Sequence, residues 1–68
     1  SSDVPQAKMS YVEGHVVSVS KDGLTVCDDT ERDFALVYQF ADTRFQVGQA
    51  VHFRFHRKDG QLIVDAIV

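Results

Sequence analysis

Residues 47–68 read V-G-Q-A-V-H-F-R-F-H-R-K-D-G-Q-L-I-V-D-A-I-V, and this stretch decides the fold. Val51, Phe53 and Phe55 alternate with His52, Arg54 and His56, the period-two pattern of a strand with one apolar and one polar face. Arg57-Lys58-Asp59-Gly60 supplies a turn, and residues 62–68 form a second apolar run. A β-hairpin follows. Its first strand displays His52, Arg54 and His56 outward and sends its apolar residues to a core.

Working back toward the amino terminus, residues 1–10 mix small, polar and proline residues without periodicity and read as a flexible lead-in. Residues 11–68 then make one domain. Residues 11–20 form a valine-rich first strand in which Gly14 predicts a bulge or sharp bend. Lys21-Asp22-Gly23 is a hairpin turn, and the second strand starts at Leu24. The acidic run Asp28-Asp29-Thr30-Glu31-Arg32-Asp33 is a solvated loop; it lacks the spacing and central glycine of a calcium loop. Residues 34–40 form a third strand with Phe34, Leu36, Tyr38 and Phe40 on one face. The connection that follows has room for one helical turn over residues 42–45, capped by Asp42. Five short strands with tight hairpins after the first and fourth predict an all-β fold, a small OB-fold-like barrel, with an SH3-like barrel as the alternative.

Length and charge limit what such a barrel does. A chain of 68 residues builds one small core, which favours a binding module over an enzyme. No apolar run approaches the length of a membrane span. The net charge is −3, divided as −4 over residues 1–40 and +1 over residues 41–68. That balance disfavours nonspecific binding of duplex nucleic acid, which draws its affinity from neutralised phosphates. Cys27 is the only cysteine, so no disulfide framework exists within the chain. The start at Ser1 without a methionine is read as a processed protein, a fragment or an excised piece.

Two sets of side chains carry chemistry. Cys27 with His15, His52 and His56 are the soft and borderline donors, and a copper, silver or zinc ion is the cofactor they allow. His52 and His56 stand about 13 Å apart along one strand, too far to share an ion, so His15 enters only if the first and fourth strands are neighbours. The second set is a partner or nucleic-acid face of Tyr38, Arg44, Phe45, His52, Arg54 and His56. By parity Phe53 and Phe55 belong to the core, which leaves Tyr38 and Phe45 as the exposed platforms on which a single strand would stack.

G-H-V-V-S-V at residues 14–19, G-L-T-V-C-D-D at 23–29, V-G-Q-A-V-H-F-R-F at 47–55 and L-I-V-D-A-I-V at 62–68 follow one another along the chain. Together they resemble the small periplasmic OB proteins that include the copper- and silver-binding chaperones of Cus-type efflux systems. The likeness runs over residues 14–68 and implies a periplasmic accessory role with an efflux or other protein as partner. The family's ligand motif does not carry over. Its histidine position falls on Asp28, its tryptophan on Asp33 (or on Phe34 with a one-residue slip) and its two methionines on Leu36 and Tyr38; only the closing phenylalanine matches, at Phe40. Soft Cu(I) and Ag(I) need the thioethers and the aromatic face that are missing here. The expected function is therefore a non-enzymatic binding domain of the periplasmic metal-resistance type, with weak or altered metal binding or a protein-interaction role. The alternative is a single-stranded nucleic-acid module resembling cold-shock domains.

Overall fold

A computed structural model describes residues 9–39 and 44–68. Its strands are β1 (Ser10–Ser20), β2 (Gly23–Asp28), β3 (Asp33–Val37), β4 (Ala50–Lys58) and β5 (Gln61–Ile67). The carboxyl-terminal hairpin forms as its alternation dictates. Val51, Phe53 and Phe55 are buried, while His52, Arg54 and His56 between them face outward. The turn pairs Lys58 with Gln61, leaving Asp59 and Gly60 as a two-residue loop. Both loop residues have positive φ, 54° and 78°, the type I′ geometry that matches the twist of the flanking strands and that Asp-Gly adopts readily.

The strands close into a barrel in the order β1-β2-β3-β5-β4, with β4 returning to β1. All neighbours are antiparallel except β3 and β5, which meet in parallel through Leu36–Leu62 and Val37–Ile63. This crossover is the OB arrangement; a plain succession of neighbouring strands would not produce it. The SH3-like alternative is set aside on the same pairing. Val12, Val16, Leu24, Val26, Leu36, Val51, Phe53, Phe55 and Val64 fill the interior. Phe34, Tyr38, Phe45 and Leu62 pack against them from the ends and the β3–β5 seam.

Two details differ from the sequence expectation. The bulge in β1 falls at Val17, between the pairs Val16–Val26 and Ser18–Thr25, and not at Gly14. Gly14 answers a different need: it pairs with Asp28 on one side and Val51 on the other, where β1 is held between β2 and β4. A Cβ there would overlap the Cys27 carbonyl oxygen and stand 2.8 Å from its carbon. Gly23 is likewise a matter of space, since its Cβ would overlap the Leu36 carbonyl oxygen across β3. The second difference is the length of β3, which stops at Val37 rather than Phe40. Tyr38 leaves the ladder, its amide donating to the Asp22 carbonyl at 3.1 Å, and its ring turns in toward Phe53. Phe40, most of the lead-in and residues 42–43 of the helical turn expected over residues 42–45 lie outside the described residues, while Arg44 and Phe45 are not helical.

Candidate binding face

The aromatic platforms expected at Tyr38 and Phe45 are corrected by the packing. Their rings meet edge to face at 5.0 Å, and each also contacts Phe53, at 6.1 Å for Tyr38 and 5.3 Å for Phe45. They cap the core because β3 has ended and the chain must cover the open end of the barrel with apolar surface. With Arg44 they line a hollow of about 670 Å³ beside the β1–β2 hairpin. His52, Arg54 and His56 lie apart from this hollow, on the outer side of β4. The single face read from the sequence is thus two regions.

The outer side of β4 gains its neighbours from β1 and β5. Tyr11 is opposite Arg54, and Glu13 is opposite His52. The Tyr11 ring, 56% exposed, stands edge-on to His52 at 6.1 Å. On the other side Arg54 pairs with Ala66 and Phe55 with Val64, so Asp65 is the bulged residue of β5. That extra residue re-aims its side chain outward, and His56 Nδ1 donates to the Asp65 carboxylate at 2.7 Å. Arg54 is half-buried, and its Nε makes no hydrogen bond among the described residues. Tyr11, Glu13 and Asp65 were not legible as site residues. Only the β1–β4 pairing and the β5 bulge bring them to this face.

The metal candidates are dispersed. His52 lies diagonally from His15, which is opposite Ala50, and His56 is engaged by Asp65. His15 is directly opposite Cys27 on β2. Among the described residues no three histidine, cysteine or carboxylate groups are gathered to hold an ion. Burial pushes the Cys27 thiol pKa up, and the Asp33 carboxylate beside it pushes it further; a thiol held protonated is a poor nucleophile.

No protein-family model, curated protein or solved structure matches the chain. Among the described residues no helix is long and apolar enough to cross a membrane.

The acidic loop between β2 and β3 is a capped turn. Asp28 Oδ1 accepts from Thr30 N, Thr30 Oγ1 and Arg32 N, each at 2.9 Å. The same turn holds Glu31 in the left-handed region at φ 63°. These bonds, that from the Arg32 amide foremost, hold the Asp28 carboxyl below the usual carboxylate range. A depressed folded-state pKa contributes stability above the unfolded value, near pH 4, and that contribution is lost as pH falls through the folded value. Asp28→Asn keeps an acceptor oxygen and removes the charge, so it is expected to flatten the acid limb of the stability curve. Asp28→Ala removes all three bonds and is expected to lower stability at neutral pH as well. Urea midpoints measured between about pH 6 and pH 2 check both.

Proposed function

We propose that this chain is a non-enzymatic OB-type accessory domain that docks an anionic segment of a protein partner on the outer face of β1 and β4. The observation that carries the reading is the Tyr11–Arg54 pair, with His52 edge-on to the same tyrosine. Tyrosine and arginine are the residue types that dominate binding energy at protein interfaces. An arginine already half-buried on a rigid strand loses little side-chain entropy when a carboxylate reaches it. Arg54 is the cation at the centre of the face, with the His52 and His56 imidazoles beside it as hydrogen-bonding groups, while Glu13 and Asp65 at its margins set register against wrong partners. The resemblance to periplasmic metal-resistance proteins supplies the setting, with an efflux or related protein as the partner.

The outer sides of β2 and β3 support the same choice. The register places Thr25, Cys27, Asp33, Ala35 and Val37 there, with no aromatic for a base to stack on and a carboxylate that repels phosphate. Titrating 15N-labelled protein with an Asp- and Glu-rich peptide is expected to shift Tyr11, His52, Arg54 and Ala66. Arg54→Ala is expected to weaken binding about tenfold or more, and Arg57→Ala at the strand end far less. The reading is lost if Arg54→Ala binds as the parent does. It is equally lost if oligo-dT at low salt binds more tightly than the peptide.

A further inference from the structure

The bulge in β1 decides which way Val19 faces. Alternation from the buried Val16 would send Val19 outward, but the extra residue at Val17 reverses the parity and makes Val19 the register partner of Leu24. Val19 thus lies on the inner side of the β1–β2 hairpin, yet it is 50% exposed while Leu24 is buried. The hairpin runs past the end of the core, and its inner side is one wall of the hollow of about 670 Å³. The Tyr38 and Phe45 rings, edge to face at 5.0 Å, form the other wall. Backbone bonds pin both walls. The Tyr38 amide donates to the Asp22 carbonyl of the hairpin turn at 3.1 Å. Behind Phe45, Gly48 N donates to the Val16 carbonyl at 2.7 Å and Val16 N donates to the Gln49 carbonyl at 2.9 Å, which ties that loop to β1. The hollow is therefore preformed, and its volume falls within the roughly 300–1,000 Å³ of small-molecule sites.

We infer that this hollow binds a small aromatic carboxylate, with its ring between the hairpin wall and the Tyr38–Phe45 wall and its carboxylate on Arg44 and Lys21. Charge complementarity selects the anion. Lys21 and Arg44 stand at the hollow with Asp22 as the single carboxylate among its described lining residues. Neither cation forms an ion pair among the described residues. In a chain of net charge −3 this is a local excess of positive charge beside apolar surface. The planar guanidinium of Arg44 is suited to hold a carboxylate through two parallel bonds, and the Lys21 ammonium adds a second, more mobile contact. The walls select the aromatic body: a ring set against Phe45 and Tyr38 extends their edge-to-face arrangement, and Val19 gains the apolar cover it lacks. A bare phosphate forgoes the walls, and an uncharged ring forgoes the cations. The hollow lies apart from the outer side of β4, so a ligand here is independent of the acidic partner proposed for the β1–β4 face.

Naphthoate is the probe, and naphthamide, with the same rings and no charge, is its comparison. Titrated into the 15N-labelled parent protein, naphthoate is expected to shift the amides of Val19, Lys21, Leu24, Tyr38 and Phe45 and to leave those of His52, Arg54 and His56 in place. Naphthamide is expected to bind roughly tenfold more weakly or less, and inorganic phosphate is expected to leave the Leu24 and Phe45 amides unmoved. Those measurements need no variant to fold. Arg44→Gln, at an exposed position, is expected to weaken naphthoate binding about tenfold, the loss of a hydrogen-bonded charge. Lys21→Gln, also exposed, is expected to weaken it about threefold, and neither substitution is expected to change naphthamide binding. The inference is overturned if millimolar naphthoate shifts none of the five amides, or if naphthamide binds as tightly as naphthoate. It is also overturned if Arg44→Gln and Lys21→Gln both bind naphthoate as the parent does, or if the shifts centre on His52 and Arg54.

Discussion

Gly14→Ala is expected to cost about 3 kcal/mol or more and to leave the domain largely unfolded at room temperature. A domain of 68 residues has a total stability of only about 3–10 kcal/mol at the usual value per residue. The methyl group would overlap the Cys27 carbonyl oxygen and stand 2.9 Å from the Asp28 Cα, all backbone atoms of β2. No rotamer relieves a clash between a Cβ and a neighbouring strand. Either β1 and β2 separate, losing ladder bonds around Gly14–Asp28, or the barrel shears open. Gly60 is the internal comparison. A Cβ there meets nothing within 4 Å, but its φ is 78°, so Gly60→Ala carries only the left-handed penalty of about 1 kcal/mol. Urea unfolding of the two variants separates steric exclusion from backbone preference. Equal losses would mean that β1 and β2 do not approach as closely as the pairing at Gly14 requires.

Phe53→Ala is expected to be comparably severe, at about 3–5 kcal/mol. Phe53 is 0% exposed and is among the largest fully buried side chains. It stands midway along β4, and its ring is the one that both Tyr38 and Phe45 touch. Removing it opens a cavity under the end cap as well as in the barrel centre, so two layers of packing lose their support together. Phe53→Leu keeps most of the buried area and loses the edge-to-face contacts, worth about 0.5–1.5 kcal/mol per ring pair, so it is expected to unfold later than Phe53→Ala. Because His52 and Arg54 flank Phe53 on the same strand, the alanine variant is also expected to bind the acidic peptide poorly at concentrations of urea that the parent tolerates. A loss under about 1 kcal/mol for Phe53→Ala would contradict the assignment of Phe53 as the centre of the core.

Both effects trace to features with unequal visibility in the sequence. Phe53 was legible as core because alternation along a strand is local: every second residue shares a face, whatever the strand pairs with. The Asp59–Gly60 turn was legible for the same reason, since a type I′ loop selects its residues through backbone preference alone. Gly14 was legible as unusual, but its cause was not. A glycine required for a bulge and one required by a neighbouring strand look identical until the neighbour is known. Tyr38 and Phe45 show the limit from the other side. Strand parity puts Tyr38 on the same face as Phe34 and Leu36, yet whether an aromatic at the end of a strand covers the core or stands free depends on what closes that end.

The sequence by itself determined the five-stranded all-β fold, the extent of its hairpins and the inward set of β4, because these follow from periodicity and turn chemistry within a few residues. The tertiary structure decided which strands become neighbours, and with that every relationship between side chains distant in the chain. The β1–β4 pairing sets Tyr11 against Arg54, the β5 bulge delivers Asp65 to His56, and the β1–β2–β3 register aligns His15, Cys27 and Asp33. Such juxtapositions depend on barrel closure and residue register, which are set by the packing of the whole core and by no single stretch of the chain.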